Sequence, residues 1–600
     1  MSFSSHAKVR ILLSLVTILT VTSAFMVAFV AHGSTSRASG PSVITFQGSQ
    51  TTISRAASLQ LSLNATAQTP TTTAQSSTNN GTGPHLLFLP PRKRATTNSA
   101  TTASTALSHA PNTADKGIGA DAGQLLQNFE GLNSVNSFDV NGFVLEPPDQ
   151  GLCVGNLLGS KVVSEIINDV VTFYTPNGAL FGPEENLNVF FGESPTLNTS
   201  DPRCYFDPTT QSWFFSVVVY TNTLLPNRSD LLVLHPNLSA SVYQIDTTFP
   251  KNTAGQCPCF GDQPKLGIDK NNVYISVDQF GGAPNFVPET GADLFALSKS
   301  QLVAGAPVVN IAEFLNLSLG GIGVTALQPA ITNSDSDVEF LLNSFPYADE
   351  AQTMPNTISQ LLGLWALSDT QAVTNGKVPK LSETLITSEI YGYPVPALTT
   401  NGLSLATFSN DSRMQQVQFI NGQLWGSLDS AVAVDNDPVT RDGAAWFEIN
   451  PIVGSNGKVQ GAQFTDQGYV AVKGEYLVYP AITTTFAGTT GISFSITNTT
   501  LNPSTGYVVR KSGSADFGNI HLTSKGSGPD TGFTCVPPFQ GTFQQCRWGD
   551  YSWSTLDPNG NDLWMAAEKT VPQVATQINP APPPPTLSTN WGTRVFEVSG

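Results

Sequence analysis

The stretch that decides the fold is residues 201–220, DPRCYFDPTTQSWFFSVVVY, where a polar opening leads into a short strand, a turn and a second, more apolar strand. Short runs of this kind, bounded by Gly, Pro, Asn and Asp, are typical of strands joined by tight turns. Repetition of one supersecondary unit along a chain indicates a repeat architecture. Related versions of the stretch occur at residues 149–171, 261–280, 327–345, 413–432, 478–497 and 547–569.

A third strand follows each version and gives an independent count of the units. These strands are at residues 171–174, 231–234, 294–297, 364–367, 446–449, 507–509 and 594–598. Seven units of about four strands each predict an all-β fold, a seven-bladed β-propeller, over residues 121–600. A solenoid would have shorter and more regular repeats, and a sandwich would not restate one strand pattern seven times.

The last predicted unit reaches Gly600 after only three strands. An unpaired strand edge invites aggregation, so a fourth strand is expected from elsewhere in the chain. Residues 125–132, LLQNFEGL, form a strand pattern with no other obvious partner. We therefore expect this N-terminal strand to close the propeller as the outer strand of the unit that contains Trp564 and residues 595–598.

The N-terminal part of the chain has the character of a targeting segment followed by a linker. Lys8 and Arg10 precede an uncharged apolar stretch, residues 11–31, that is long enough as a helix to cross a bilayer. Residues 1–32 therefore fit either an uncleaved membrane anchor or a signal peptide cleaved after Gly33. Residues 33–120 are rich in Ser and Thr with few aromatics, which predicts a disordered linker or stalk.

Charge and location restrict the expected partners. The net charge of −17 argues against nucleic acid, whose phosphates bind basic surfaces. The basic flank of the apolar stretch keeps the N-terminus inside and sends the rest of the chain out. We expect a monomer at the cell surface or secreted, in contact with the membrane through its N-terminal helix and with an extracellular protein or glycan.

Two sets of motifs, one near each end of the predicted propeller, form a recognisable combination. They are Pro147-Pro148-Asp149, Gly155, Asn168, Asp201-Pro202, Tyr205, Asp207 and Trp213, and then Trp548-Gly549-Asp550-Tyr551, Asp557-Pro558, Trp564 and Trp591-Gly592-Thr593-Arg594. Together they resemble a large group of exported bacterial proteins with a sialidase-like propeller and no settled activity. The resemblance covers residues 129–600 and implies fold and export rather than a reaction. Gln150 and Leu152 depart from the group, which more often has small polar turn residues there.

Four aspartates open the innermost strands of predicted units: Asp149, Asp201, Asp262 and Asp550. In a propeller these openings converge at one mouth of the central channel. There the carboxylates would raise one another's pKa or recruit a cation. Alternatively, each aspartate caps a turn between blades through local backbone hydrogen bonds.

Three arginines occupy corresponding strand starts, namely Arg203, Arg413 and Arg547. Arginines that converge on a carboxylate are how sialidases hold their substrate. Such an enzyme also needs a nucleophilic tyrosine paired with a carboxylate, and Tyr551 is the nearby tyrosine, without an evident partner. The repeats also lack the Ser-x-Asp-x-Gly-x-Thr-Trp box. Salt bridges between blades are the simpler role for these arginines.

Calcium is the metal that the sequence leaves open. Asp557, Asn559, Asn561 and Glu568 have the oxygen spacing of a calcium loop, although Gly560 comes two positions early and residues 563–567 indicate a strand. Asp435, Asp437 and Asp442 form a second oxygen cluster in a predicted loop. No other cofactor is expected, because phosphate loops, dinucleotide motifs and His-Cys clusters are missing from the sequence.

The six cysteines form an even set in a chain expected outside the membrane, so disulfides are expected. Cys535 and Cys546 flank a short loop and are predicted to pair. Cys153 and Cys204 lie on innermost strands of neighbouring units and are a second candidate pair. Cys257 and Cys259 form a Cys-x-Cys motif that a redox role would also fit.

These observations favour a binding or interaction module for protein or glycan over an enzyme. The alternative is a sialidase-like glycoside hydrolase or lyase that uses the carboxylates at the propeller mouth, and a structural envelope component is a third reading. The geometry of the aspartates and arginines discriminates, because two carboxyl groups about 5 to 9 Å apart in one pocket would favour hydrolysis.

Overall fold

Strands dominate the computed structural model of the protein, which describes residues 44–63, 110–119, 123–249, 257–281, 289–319, 322–345, 358–406, 411–537, 545–579 and 584–600. The all-β prediction is confirmed. The predicted signal or anchor segment, residues 1–32, lies outside the described residues, as does most of the predicted linker. None of the helices in the described part of the chain has the length and hydropathy of a membrane span.

Four strands come before the first repeated unit. They are β1 (Ile44–Phe46), β2 (Ser49–Gln60), β3 (Asn112–Thr113) and β4 (Leu125–Asn133).

From residue 151 onwards the chain forms antiparallel meanders, in which each strand pairs with the next. Meander 1 contains β5 (Gly151–Leu157), β6 (Ser160–Ile166), β7 (Val170–Tyr174) and β8 (Glu185–Asn186). Meander 2 contains β9 (Asn198–Asp207), β10 (Ser212–Tyr220), β11 (Asn227–Leu234) and β12 (Ser239–Asp246). Meander 3 contains β13 (Phe260–Ile268), β14 (Asn272–Phe280), β15 (Glu289–Ser298) and β16 (Val308–Leu319), with β17 (Ile322–Gly323) beside β16.

The later units follow the same plan. Meander 4 contains β18 (Gln328–Pro329), β20 (Val338–Ser344), β21 (Ile358–Ser368) and β22 (Lys380–Gly392), and β19 (Ile331–Thr332) pairs with β13 and with the first strand of meander 5. Two short strands follow, β23 (Ala397–Leu398) and β24 (Ser404–Ala406). Meander 5 contains β25 (Met414–Ile420), β26 (Gln423–Val434), β27 (Arg441–Val453) and β28 (Val459–Val470).

Two further meanders complete the chain. Meander 6 contains β29 (Tyr476–Thr484), β30 (Thr490–Thr497), β31 (Ser504–Arg510) and β32 (His521–Ser524). After β33 (Gln545–Arg547), which pairs with β24, meander 7 contains β34 (Trp553–Leu556), β35 (Asp562–Ile578), β36 (Thr586–Ser599) and the N-terminal β4. The described helices are short: α1 (Ser134–Asn141), α2 (Leu187–Phe191), α3 (Lys299–Val303) and the 3-10 turns Thr370–Ala372 and Phe533–Cys535.

The first strands of the meanders contact one another in chain order. Strand β5 contacts β9, and the series continues through β13, β18, β25, β29 and β34. Strand β34 then contacts β5, so the described first strands form a closed cycle. The starts of these strands are therefore brought together around one axis.

The hydrophobic core lies between consecutive meanders. One cluster joins meanders 1 and 2 through Phe173 and Trp213, and another joins meanders 2 and 3 through Phe214 and Ile275. Further clusters occupy each successive gap, and the cluster around Trp564 joins meander 7 back to meander 1. Because strands bury both faces in this arrangement, most of them are continuous apolar runs rather than strictly alternating ones.

A recurrent hydrogen bond joins four pairs of consecutive meanders. A buried Asn or Asp side chain accepts the backbone N–H at the start of the next meander's first strand. The pairs are Asn168 with Asp201 (2.7 Å), Asn227 with Gly261 (3.1 Å), Asp278 with Ala326 (2.8 Å) and Asp429 with Tyr479 (2.9 Å). Buried N–H groups require partners, so these side chains fix the angle between units.

The predicted closing strand is confirmed. Strand β4 pairs antiparallel with β36, with Phe129 opposite Val595 and Glu130 opposite Arg594. Leu132 is fully buried, and Phe129 packs against the cluster around Trp564. The N-terminal and C-terminal segments of the described chain thus share one sheet.

The structure differs from the predicted disordered linker in part of residues 33–120. Strand β2 pairs with β16 through its first half and with β12 through its second half, so it bridges the outer edges of meanders 2 and 3. Strand β1 covers the edge of meander 4 by pairing with β22. Thr51, Ile53 and Ala57 face inward, which is only a weak alternating pattern. Strand β2 is therefore stabilised by pairing with the exposed edges of meanders that are distant in sequence.

Candidate functional site

Three of the four aspartates predicted at the strand starts meet around the axis. One carboxylate oxygen from each of Asp149, Asp201 and Asp550 lies within 4.8 Å of the others. The three residues are 2%, 6% and 6% exposed. These residues are named here the aspartate triad, and Asp262 acts electrostatically on Asp201 from the neighbouring strand.

Irregular backbone at the strand starts aims these side chains. Asp201 has a φ of 54° and precedes Pro202, and the pairing of β9 with β10 shifts register at this point. The same arrangement occurs at Gln263, before Pro264, and at Tyr479, before Pro480. A proline has no N–H to give to the ladder, so it is tolerated at a bulge, and a bulge redirects the neighbouring side chain.

This repetition changes which residue of meander 3 is equivalent to Asp201. Gln263, rather than Asp262, occupies the position equivalent to Asp201, because both precede the proline and both have positive φ. Asp262 lies one residue earlier and pairs opposite Asp278 in the ladder of β13 and β14. The predicted set of four equivalent carboxylates is therefore three carboxylates and one amide.

Within the triad, Asp149 is fully engaged by the fold. One of its oxygens accepts the backbone N–H of Asp550 (2.6 Å), and the other accepts the amide of Asn168 (2.7 Å). Asp149 thus joins meander 7 to meander 1, which is the turn-capping role expected as the structural alternative. By contrast, the Asp201 carboxylate accepts no hydrogen bond from any described residue.

A polar network leads from Asp550 towards the surface. Gln263 donates its amide to Asp550 (2.8 Å), and Arg547 pairs with Asp550 at 3.3 Å. Arg413 donates to the Gln263 oxygen (2.7 Å) and is held on its other side by Asp411. The Arg547 side chain is 27% exposed, so this end of the network is only partly buried.

Arg203 takes a different position from the other two arginines. Its guanidinium carbon lies 3.1 Å from the centre of the Tyr551 ring and 4.9 Å from that of Trp553. The residue is 3% exposed, and its Nη1 atom has no hydrogen-bond partner. Arg413 forms an ion pair with Asp411 and Arg547 forms one with Asp550, each within its own segment.

Tyr551 does not have the environment of a nucleophile. Its hydroxyl donates to the carbonyl of Pro202 (2.9 Å), and Arg203 covers its ring. Burial raises the pKa of Tyr551 well above its usual value, with nearby aspartates adding to the effect. A tyrosine held in this way stabilises the position of Arg203 rather than attacking a substrate.

Burial changes the protonation of the carboxylates. It raises the pKa of Asp149 to about 8, with Asp550 and Asp201 adding to the shift. It raises the pKa of Asp201 to about 8 as well, with Asp262 and Asp550 contributing. The pKa of Asp262 rises to about 6 for the same reasons. Loss of hydration disfavours the charged form of each group, and neighbouring negative charge increases that cost.

Disulfides surround the triad. Cys153 and Cys204 are bonded, which joins β5 to β9 close to Asp149 and Asp201. The predicted bond between Cys535 and Cys546 is also formed, and it lies one residue before Arg547. Cys257 is bonded to Cys259, so this Cys-x-Cys motif is oxidised in the structure.

The calcium-loop candidates at residues 557–568 make other contacts in the structure. Asp557 forms an ion pair with Lys161 and accepts the indole N–H of Trp564 (3.0 Å). Asn559 and Asn561 belong to the tight turn between β34 and β35, where their backbone N–H groups bond to side chains of the same turn. Glu568 lies further along β35 and accepts the N–H of Gly549 (2.8 Å). The strand separates these oxygens because it extends by about 3.3 Å per residue.

The second oxygen cluster is also used by the fold. Asp437 binds Arg441 at 2.8 Å and accepts the backbone N–H groups of Gly474 and Val439. Asp442 lies in the ladder opposite Ala431, where it is fully buried. Neither arrangement leaves the set of free oxygens that calcium requires.

Sequence reasoning missed Gln263, and it named Asn168 as a motif residue without assigning it to the site. Asn168 connects Asp149, through its amide, to the N–H of Asp201, through its oxygen. Gln263 connects Asp550 to Arg413. The sequence did contain a signal for Gln263. It directly precedes a proline in the first strand of its unit, as Asp201 does in the preceding unit.

Polar side chains also fill the axis beyond the triad. Tyr205 accepts from Asn333 (3.0 Å), whose oxygen accepts from Gln418 (2.8 Å). Gln416 donates to the carbonyl of Ser554 (2.6 Å). These residues line a small cavity between the first strands. The cavity is therefore lined mainly by hydrogen-bonded polar groups, although the buried Nε1 of Trp553 has no partner.

Comparison with known proteins gives distant structural similarities. No family model and no curated protein matches the chain. The propeller of Dos1 is 6% identical over 79% of this chain and 95% of its own, with a TM-score of 0.32. A mutant Trypanosoma rangeli sialidase with trans-sialidase activity is 12% identical over 71% of this chain and 57% of its own, at a TM-score of 0.30. An endo-arabinase from Bacteroides thetaiotaomicron is 12% identical over 65% of this chain and 93% of its own, with a TM-score of 0.25. These similarities are too weak to assign a function.

Proposed function

We propose that the seven meanders are the blades of a closed β-propeller. The closed cycle of first strands and the core clusters between successive meanders support this arrangement, since radial packing of four-stranded sheets produces both. Strand β4 completes the last blade. The aspartate triad then lies at one mouth of the central channel.

The function that this geometry supports best is glycan binding at the mouth, without catalysis. The observation that carries it is the hydrogen-bonded network in which Asp550 binds the partly exposed Arg547 on one side and Gln263 on the other, with Gln263 held in turn by Arg413. Fixed planar donors and acceptors of this kind match the hydroxyl groups of a sugar, because their hydrogen bonds are already oriented. Fold alone does not dictate this role, which rests on the site.

The test is a glycan array probed with the purified full-length chain. Selective binding to a class of glycans is expected, and Arg547→Gln should weaken it by about tenfold, the effect of one charge-assisted hydrogen bond. Arg441→Gln is the matched control, because Arg441 also pairs with an aspartate close in sequence but lies on β27, away from the triad. Absence of binding, or equal loss in both variants, would refute the proposal. Binding of the chain to a protein in place of a glycan would identify an extracellular protein as the partner class.

Hydrolysis is the second candidate, and one observation favours it. The triad oxygens are as close as those of paired catalytic carboxyls, and the raised pKa values of Asp149 and Asp201 suit a general acid. However, a substrate has to reach the acid, and each triad residue is at least 94% buried. Release of reducing sugar from the glycans retained on the array would establish the hydrolase, and intact glycans are expected.

Export of the propeller is part of the proposal. Three disulfides among the described residues support an oxidising location, because disulfides persist mainly outside the cytosol. The N-terminal apolar segment supplies either an anchor or a signal for this route. The glycan ligand would then be met at the cell surface or in the medium.

A further inference from the structure

We propose that the aspartate triad is a binding site for one divalent cation, with Ca²⁺ as the best fit. Asp149, Asp201 and Asp550 would supply the carboxylate oxygens. Ion binding at this place does not depend on the proposed glycan binding, and it differs from the loop sites that the sequence suggested.

The spacing of the triad suits calcium without rearrangement. Ca²⁺ binds oxygen at 2.3–2.6 Å, so two oxygens on one ion lie at most about 5 Å apart. The three carboxylate oxygens are within 4.8 Å of one another. Calcium also tolerates irregular coordination, which the bulged strand starts of Asp149 and Asp201 would impose.

The second observation is that polar groups aimed at this place have no partners. Asp201 is 94% buried, and its carboxylate accepts no hydrogen bond from the described residues. Arg203 is 97% buried, its Nη1 atom is unpaired, and all three triad carboxylates act on its charge. Buried polar groups are paired in most folded proteins, so a carboxylate and a guanidinium nitrogen without protein partners at one place indicate a partner from outside the chain.

Charge balance points to a cation. Four carboxylates face the site, from the triad and Asp262, against the guanidiniums of Arg203 and Arg547. The other charged neighbours are already paired, Arg413 with Asp411 and Lys265 with Asp278, and Glu568 accepts a backbone N–H behind Gly549. When all four carboxylates are ionised, one divalent ion would neutralise the two negative charges that the guanidiniums leave, which are costly in a buried place.

The coordination sphere would remain incomplete. Calcium takes six to eight oxygens, and the triad supplies three carboxyl groups. The remaining positions are open to water or, if the proposed function holds, to sugar hydroxyls. Arg203 Nη1 would donate to an oxygen bound there, which accounts for its position over the Tyr551 ring.

Calorimetric titration of the full-length chain, stripped with EDTA and dialysed, tests the site with CaCl₂, MgCl₂ and MnCl₂ as separate probes. We expect one Ca²⁺ site that saturates below about 10 mM, since extracellular calcium modules bind at about 0.1–1 mM. Asp201→Asn should weaken binding at least about tenfold, because it removes a charged ligand while keeping its shape. Asp335→Asn is the control, since Asp335 is an exposed surface aspartate paired with Lys270.

Each outcome decides the proposal. Absence of saturable heat with all three ions overturns it, as does equal binding by wild type and Asp201→Asn. Loss of binding in Asp335→Asn as well would show non-specific binding to surface acids and also overturn it. Asp201→Ser provides a second variant should Asp201→Asn not fold. Calcium binding without glycan binding would support the ion site while refuting the proposed function.

Discussion

Two regions of the protein join distant parts of the chain, and they treat polar groups in opposite ways. In the closing sheet, Arg594 binds both Asn128 and Glu130, and Lys569 binds Glu130 from the other side. Around the triad, Asp201 is 6% exposed and accepts no hydrogen bond from a described residue, and the buried Nη1 of Arg203 has no partner. Paired polar groups stabilise a fold, whereas unpaired buried polar groups persist mainly where they have a function such as binding. We therefore assign stability to the closing sheet and the proposed binding to the triad.

The largest expected effect comes from removing the closing strand. Deletion of β4 from the full chain exposes the edge of β36 and removes the buried Leu132, so we expect destabilisation by about 5 kcal/mol or more. Deletion of β2 should cost less, because its inward side chains are only half-buried and meanders 2 and 3 each keep four strands. Thermal unfolding of both deletions is the measurement, and equal melting temperatures would contradict the closure account.

A smaller change in stability is expected from pH, at the contact between Glu165 and the closing strand β4. Glu165 accepts the N–H of Leu132 (2.8 Å), and burial raises the pKa of Glu165 from 4.5 to about 7. The folded state therefore keeps a proton that the unfolded state releases above pH 4.5. The stability from this group is fully present below pH 4.5 and is lost as pH rises to about 7, by about 3 kcal/mol.

Glu165→Gln separates this group from the other acids. The variant carries a neutral side chain of the same shape, so its stability should vary less than that of wild type between pH 4.5 and 7. Denaturant unfolding at four or five pH values measures the difference. Parallel pH profiles for the two proteins would exclude Glu165 as the source.

The comparison of the two regions also shows what the sequence contains. The closing strand was predictable because LLQNFEGL has an apolar pattern and the last unit needed an outer strand. Strand β2 was not, since SQTTISRAASLQ has few large apolar residues and acquires its structure only from the edges of β12 and β16. Contacts between residues more than 100 positions apart leave little local signal.

The site was partly predictable for a similar reason. Repetition placed Asp149, Asp201 and Asp550 at equivalent strand starts, and the structure brings them together. The predicted equivalence of Asp262 was wrong by one residue, because a bulge, rather than the sequence spacing, determines which side chain faces the axis. The spacing of Asp557 and Glu568 was misleading, since a calcium ligand set needs a loop and these residues lie along a hairpin.

The most direct test of the account compares two substitutions within the triad, Asp201→Asn and Asp149→Asn, by thermal unfolding in EDTA at pH 9. Burial raises the pKa of Asp149 as well, but both of its oxygens accept N–H groups and an asparagine can accept only one of them, so its replacement should lower the melting temperature. Asp201 accepts none, and its buried charge opposes folding when no ion is bound, so its replacement should raise the melting temperature by a few degrees, corresponding to about 1 kcal/mol. A lower melting temperature for Asp201→Asn would contradict the claim that this carboxylate is kept for a ligand rather than for the fold.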